Sequence, residues 1–211
     1  MTHKNFRHHR LLSLLISMVL ISLSTGAQTL YTLEKGPVST VKILGTSNLH
    51  DWTMQAHSGD CKAEFSLSGS GQAQLKGLKS LSFTLPVQTL KSGESMMDSK
   101  AYHALKSDKF GTISFDLSAA SVTPAKNGQY TVTANGKLCI AGVCRIVQLD
   151  VACTVNADGS ITCSGSEKLK MTDYQVDPPT FMFGALKTAD DITIAFTLFL
   201  TADSNKSLSQ N

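Results

Sequence analysis

The feature that most constrains the fold of this chain is the alternation of apolar and polar residues in several separate segments. Successive side chains of a β-strand point to opposite faces, so each alternating segment is predicted to be a strand with one apolar face. The segments are AEFSLSG at 63–69, LSFTLPV at 81–87, TISFDLS at 112–118, YTVTANGKLCI at 130–140, VCRIVQLDVAC at 143–153 and ITIAFTLFL at 192–200.

Short turns separate these segments. The pairs Asn127-Gly128, Ala141-Gly142 and Asp158-Gly159 each supply a glycine for a hairpin. With less regular strands near Leu30, Val41 and Met54, roughly eight to ten antiparallel strands are expected. This pattern is typical of an all-β barrel or sandwich.

One segment departs from the alternation. SMMDSKAYHALKSDKF, residues 95–110, is rich in helix formers, and Ala101, Ala104 and Leu105 share one helical face. We predict a short helix near 99–107, capped by Asp98 or Ser99 and packed over the sheet or across one end of a barrel.

The N-terminus has the order of a secretory signal peptide. Basic residues precede an apolar run from Leu11 to Leu23, and small residues end at Ala27. The run is shorter than the roughly 20 residues that a membrane-spanning helix needs. We therefore predict removal of 1–27, a single domain at 28–201, a frayed polar tail at 202–211, no stable membrane insertion, and a periplasmic or secreted location.

Charge gives no case for a nucleic-acid partner. The chain has 19 Lys+Arg and 16 Asp+Glu, and three of the basic residues, Lys4, Arg7 and Arg10, belong to the signal segment. The remaining chain is neutral, so nothing attracts it to polyanions.

The cysteines of CIAGVC, residues 139–144, predict a structural disulfide. A two-residue turn at Ala141-Gly142 places Cys139 directly across from Cys144, at a separation that a disulfide can bridge. Both side chains would face outward, because Ile140 faces inward. Free thiols and a metal site are the weaker alternatives.

The other three cysteines are less constrained by sequence. If the loop after Val155 has an odd length, Cys153 pairs with Cys163 and both face inward; a strict two-residue turn would shift the register and separate them. Cys61 would then remain a free thiol.

No group of residues has the pattern of an active site. His50 and Asp51 are adjacent, so in a strand they point to opposite faces. Asp173 and Asp177 lie in a proline-containing segment predicted to be a solvated loop rather than a calcium site. The sequence therefore predicts no enzyme, no cofactor and no metal.

Four stretches together resemble the YceI-like family of exported bacterial proteins. They are GTSNLHDW at 45–52, KSGESMMDSKAYHALKSDKFGTISF at 91–115, GKLCIAGVCRIVQLDV at 136–151 and KLKMTDYQVDPPTFMFGALKTADDITIAFTL at 168–198. The first and last resemble the branch found in Bacteroidota. Two threonines that frequently occur in the family's hairpin are replaced here by Cys139 and Cys144, and Ala104 stands where many members carry a histidine.

The resemblance implies an extended antiparallel eight-stranded lipocalin-like barrel that binds a polyisoprenoid or similar lipid inside. The interior residues expected to contact the ligand are Phe65, Phe83, Leu85, Ile113, Phe115, Val132, Leu138, Ile140, Val147 and Leu149. Gly136 would leave the inner wall without a side chain, which makes room for a ligand or a bend.

Two functional hypotheses follow from these observations. The first is a carrier or store for an apolar chain lipid, such as a polyprenol or an isoprenoid quinone. The alternative is an envelope-stress or structural module with a filled core, no lipid ligand and an envelope protein as its partner. Alternation cannot separate them, since an interior of this size can be either filled or hollow.

Overall fold

A computed structural model describes residues 28–34, 39–69 and 73–203. The predicted signal segment and residues 204–211 of the predicted tail lie outside these ranges. The described chain has one α-helix, α1 (Ser95–Ala104), and these strands: β1 (Gln28–Leu33), β2 (Thr40–Ser47), β3 (Asp51–Ala56), β4 (Asp60–Ser68), β5 (Gln74–Pro86), β6 (Thr112–Pro124), β7 (Gln129–Ile140), β8 (Val143–Val155), β9 (Ile161–Lys170), β10 (Thr180–Phe181) and β11 (Leu186–Ala202).

The sheet is antiparallel and its hydrogen bonds form a closed ring. The ring runs β1-β4-β5-β6-β7-β8-β9-β11, and β11 pairs back with β1 to close it. The long β11 also pairs with β2, and β2 pairs with β3, so a two-strand extension continues the sheet beyond the ring. The prediction of an eight-stranded antiparallel barrel with one short helix is confirmed.

The hairpin between β7 and β8 has the predicted register. Cys139 pairs with Cys144 and Ile140 with Val143, and a disulfide joins the two cysteines. The turn residues Ala141 and Gly142 have φ angles of 50° and 85°, the left-handed values that a two-residue hairpin turn requires.

A second disulfide joins Cys153 to Cys163 inside the ring. Val155 pairs with Ile161, so the connecting loop has the odd length that puts these cysteines opposite each other. Both are buried. Cys61 is a buried free thiol, and burial raises its pKa to about 12, which makes it a poor nucleophile.

The helix differs from the prediction in its position and its capping. It begins at Ser95, four residues earlier than predicted, and its N-cap Glu94 makes no side-chain capping bond. Asp98 does not cap the helix; its carboxylate accepts hydrogen bonds from the backbone N–H and the hydroxyl of Ser92, both at 2.7 Å. The Asp98 carboxylate thus fixes the loop before the helix in place of a side-chain cap. Helix propensity alone does not predict this contact.

Two buried apolar clusters fill the two ends of the ring. One, at the helix end, includes Leu85, Leu138 and Val176; the other includes Phe65 and Ile161. The largest fully buried side chains come from both clusters, so the ring is held from two ends rather than by one central core.

Aromatic rings lie flat over glycines of neighbouring strands. A Cβ on Gly136 would lie 2.4 Å from Cζ of Phe115, and one on Gly165 would lie 2.7 Å from Cζ of Phe196. The predicted room at Gly136 is therefore occupied by Phe115 and does not serve a ligand. A glycine opposite an aromatic ring accommodates that ring without strain in either strand.

The ladder between β8 and β9 covers only part of each strand. Pairing joins Val151–Val155 to Ile161–Gly165, whereas β8 starts at Val143 and β9 continues to Lys170. The strands part beyond this ladder, which leaves the inward-facing Val147 and Leu149 half-buried.

Within the described ranges, no helix combines the length and the apolar character needed to cross a bilayer.

Candidate functional site

A cavity of about 120 Å³ lies inside the ring, lined by residues of both apolar clusters. We call it the inner cavity. Its walls contain eight of the ten predicted interior residues, Phe65, Phe83, Leu85, Ile113, Phe115, Val132, Leu138 and Leu149, together with Ala134, Leu81, Ile194, Phe196 and Glu167 among others. The volume is several times what a water molecule needs, but a wall so apolar offers water almost no hydrogen-bond partner.

The other two predicted residues lie elsewhere. Ile140 lines a different cavity, described next. Val147 packs against the cluster at the helix end without lining either cavity. Its position follows from the parting of β8 from β9, which draws this part of β8 away from the enclosed space.

A second cavity of about 330 Å³ lies at the helix end of the ring, and we call it the outer cavity. Its walls come from α1, the β2–β3 hairpin, the end of β9 and the segment 171–181; they include Ile43, Trp52, Met54, Met97, Ala101, Ala104, Leu105, Ile140, Tyr174, Val176 and Ile192. Met96 also lines it and is 71% exposed, so the cavity reaches the surface beside α1. Its size is that of a small-ligand site.

Helix α1 forms one wall of the outer cavity because its small residues face inward. Ala101, Ala104 and Leu105, the face predicted from sequence, all line the space. The Tyr102 hydroxyl donates to the carbonyl oxygens of Gln88 and Leu90 at 3.0 and 2.7 Å, and this fixes the helix against the preceding segment.

Trp52 supplies the opposite wall. It stands on β3 across from Gly45 on β2, where a Cβ would lie 2.2 Å from the indole. Its Nε1 donates to the Thr46 carbonyl at 3.1 Å. His50 and Asp51 are exposed beside it, as the sequence predicted, and His50 Nδ1 lies 2.8 Å from the Asp51 backbone oxygen rather than against a carboxylate.

The two cavities are adjacent. Ile43 lines both of them, so its side chain forms part of the wall between the outer and the inner cavity. The two apolar spaces are therefore neighbours, one beside α1 and one inside the ring.

Tyr174 is a functional candidate that the sequence did not reveal. It ends a 3₁₀ helix, Met171–Tyr174, in a segment that the sequence presented as a proline-containing loop. The side chain is 2% exposed and lines the outer cavity. Within the described part of the chain, its hydroxyl is the one buried side-chain polar atom without a hydrogen-bond partner.

Several contacts hold Tyr174 in place. The Asp190 carboxylate accepts hydrogen bonds from the backbone N–H and the hydroxyl of Thr172, at 2.9 and 2.7 Å. The Arg145 guanidinium donates to the Asp173 backbone oxygen, and its Cζ lies 6.0 Å from the centre of the Tyr174 ring. The hydroxyl is therefore held in one position rather than free to reach solvent.

An unpartnered buried hydroxyl is costly. Leaving such a group without a hydrogen bond costs about 1–3 kcal/mol. Burial raises the pKa of Tyr174. The charge of Arg145 lowers this pKa, whereas the charges of Asp173 and Glu167 raise it. The hydroxyl is thus protonated and able both to donate and to accept.

Glu167 is the ionisable residue in the wall of the inner cavity within the described chain. It faces inward on β9, beyond the point where β9 leaves β8. Burial, with a smaller effect from Asp150, raises the pKa of its carboxyl. Its negative charge also raises the pKa of Tyr174.

Solved structures share this fold. BcnA of Burkholderia cenocepacia is 20% identical, with 77% of this chain and 96% of that chain covered at a TM-score of 0.60. A polyisoprenoid-binding domain from Saccharophagus degradans, implicated in plant cell wall breakdown, is 13% identical, with 82% of this chain and 98% of that chain covered at a TM-score of 0.58. No curated protein matches the chain.

Sequence similarity to a family extends over most of the chain. The profile of the YceI-like domain matches residues 38–200. This range contains β2 to β9, α1 and both cavities. The chain therefore belongs to the YceI-like domain family.

Proposed function

We propose that this protein is an exported binding protein that holds an amphiphilic apolar chain, such as a polyisoprenoid or an isoprenoid quinone, for transport or storage. The observation that carries the proposal is the pair of adjacent apolar cavities, one inside the ring and one beside α1. A polyisoprenoid-binding domain with the same fold supports this ligand class.

The walls favour a chain lipid over a compact polar molecule. The inner cavity offers a ligand aliphatic and aromatic side chains, with Glu167 at one side. Binding a long apolar chain there removes both its surface and the wall from water, at roughly 25 cal/mol per Å² of apolar area. A sugar or a nucleotide would lose its hydrogen bonds to water and regain few.

The cavities favour the proposal over the filled-core alternative. A filled module would leave no apolar space inside the ring, whereas the inner cavity has about 120 Å³. Export is supported by two disulfides, Cys139–Cys144 and Cys153–Cys163, since such bonds persist in oxidising compartments.

Native mass spectrometry of protein purified from its own host tests the proposal. We expect a bound mass of several hundred daltons that organic solvent extracts as an apolar lipid. Replacing Phe83 by Asp puts a charge into the inner cavity and should abolish loading. Ile146→Asp is the matched control, because Ile146 is 72% exposed on the outer face of β8 and lines neither cavity.

A variant without a new charge separates loss of binding from loss of folding. Phe83→Trp narrows the inner cavity with an apolar ring, so it should reduce loading while the near-ultraviolet circular dichroism stays native. Host-purified protein with the mass of the bare chain, or equal loading of wild type and both Phe83 variants, would contradict the proposal.

A further inference from the structure

The buried, unpartnered hydroxyl of Tyr174 stands out against its surroundings. The neighbouring Tyr102 uses its hydroxyl to donate to two carbonyl oxygens, and Tyr31, on the far side of the ring, donates to the Gly159 carbonyl at 3.1 Å. Tyr174 alone among these three has no partner, although it is held by a network of contacts. Phenylalanine would fill the same volume without leaving a hydroxyl unpaired.

From this we propose that Tyr174 is the head-group site of the ligand. Its hydroxyl hydrogen-bonds an uncharged oxygen at the polar end of an apolar chain, and the chain extends past Ile43 into the inner cavity. This inference rests on the proposed function and deepens it, because it assigns the ligand's orientation and the chemistry of its head.

The position of Tyr174 sets the orientation. It lines the outer cavity, whose wall also carries polar side chains such as Glu94 and Lys100, whereas the wall of the inner cavity is apolar apart from Glu167. A ligand with its head at Tyr174 places its apolar chain in the more apolar space. The reverse orientation would bury the head oxygen in the inner cavity, where Glu167 alone offers a polar contact.

The charges around Tyr174 favour an uncharged head. The negative charges of Asp173 and Glu167 both raise the pKa of the Tyr174 hydroxyl, and Glu167 lines the inner cavity. Among the described residues that act on this hydroxyl, Arg145 is the one cation. The Asp173 carboxylate lies 3.8 Å from its guanidinium. A phosphate at this depth would lose its water and meet two carboxylates without a free cation to pair with.

An anionic head would instead be drawn to the mouth of the outer cavity. Lys100 and Lys170 line it and are exposed, and Lys170 is paired with Asp191 at 2.9 Å. Exposed lysines hold an anion weakly because water screens them. The deep polar position therefore selects a hydroxyl or a carbonyl oxygen, which an isoprenoid alcohol and an isoprenoid quinone both supply.

The test compares heads on one chain. Lipid-free full-length mature protein is titrated with a C20 isoprenoid alcohol, an isoprenoid quinone with the same tail, the corresponding phosphate and the corresponding hydrocarbon. Trp52, the single tryptophan of the chain, lines the outer cavity and reports binding by its fluorescence. The variants are Tyr174→Phe and, as a matched loss of one buried tyrosine hydroxyl outside both cavity walls, Tyr31→Phe.

We expect Tyr174→Phe to weaken binding of the alcohol and the quinone about five- to tenfold, the effect of one hydrogen bond. Hydrocarbon binding should stay within about twofold, and the phosphate should bind wild type more weakly than the alcohol does. Tyr31→Phe should leave all four affinities unchanged. An effect on the alcohol alone, or on the quinone alone, identifies which oxygen the site holds and supports the assignment.

Two outcomes would overturn the inference, and they are distinguishable. If the probes bind but Tyr174→Phe alters all of them equally or none, or if the phosphate binds as tightly as the alcohol, the head-group site is refuted while the lipid-binding function stands. If no probe binds correctly folded wild-type protein, the proposed function fails and the head-group site fails with it.

Discussion

Replacing Ala134 by leucine distinguishes a hollow ring from a filled one by the sign of a stability change. Ala134 lies on β7 with its side chain in the wall of the inner cavity. Leucine at this position extends three more carbon atoms into that space. A hollow interior gains contacts from them, whereas a filled interior has to distort.

The structure gives the size of the expected gain. Filling the whole cavity of about 120 Å³ would recover about 2.9 kcal/mol, at about 24 cal/mol per Å³. The three added carbons are worth about 2.4 kcal/mol at about 0.8 kcal/mol each, and ordering the leucine costs about 0.5–1 kcal/mol. We therefore expect the lipid-free variant to be more stable by about 1.5–2 kcal/mol, which raises the melting temperature by about 3–8 °C.

Urea unfolding at equilibrium, with lipid-free protein and the disulfides intact, measures this change. Ala152→Leu is the control: Ala152 is exposed on the outer face of β8, so its replacement should change stability by less than about 0.5 kcal/mol. The Ala134 variant should also lose part of its ligand load. If Ala134→Leu lowers the free energy of unfolding by about 1–3 kcal/mol while Ala152→Leu leaves it unchanged, the leucine overpacks the interior. That result would refute a hollow inner cavity.

Three other substitutions test contacts that stabilise the fold around the site. Serine at both Cys139 and Cys144 should lower the free energy of unfolding by about 2 kcal/mol, because the disulfide closes a short loop and reduces the entropy of the unfolded chain. Non-reducing urea titrations measure this change, and an unchanged unfolding midpoint would contradict it. Burial raises the pKa of Asp98, but two hydrogen bonds from Ser92 outweigh it and lower that pKa. The carboxylate therefore stabilises the fold above about pH 4, and this contribution is lost as the pH falls through the lowered pKa, so Asp98→Asn should be less stable than wild type at pH 7 and converge with it in acid. Gly136→Ala should cost about 1–3 kcal/mol in thermal unfolding, because its Cβ would lie 2.4 Å from a ring carbon and 2.6 Å from a backbone oxygen of the neighbouring strand.

The strands and their facing were predictable because a two-residue period is local. Residues 130–153 show this best: Ala141-Gly142 determines the turn, the turn determines the register, and the register determines the pairing of Cys139 with Cys144. The inward faces followed from the same rule, which is why eight of the ten predicted interior residues line the inner cavity.

The site was only partly predictable because its polar groups depend on contacts distant in sequence. Tyr174 appears in the sequence as part of a loop, and it is buried because its 3₁₀ helix packs against β8, β9 and β11. Glu167 points inward on β9. The apolar and polar residues of this strand do not alternate regularly, so its composition alone predicts that Glu167 is a solvated charge. Helix α1 starts earlier than the sequence predicted, because the Asp98 side chain bonds to Ser92. Helix propensity does not encode such a side-chain contact.

The ring is closed by its first and last strands. Tyr31 pairs with Ala202 and Leu33 with Leu200, and the Asp203 N–H donates to the Leu30 oxygen at 2.8 Å. Within the described chain, no shorter segment can close the ring, because closure joins its first strand, β1, to its last, β11. Long-range closure of this kind slows folding, and a chain that cannot close early stays unfolded longer. The export proposed above would benefit from late closure, because an open chain stays competent for translocation and the apolar interior forms only after the last pairing is made.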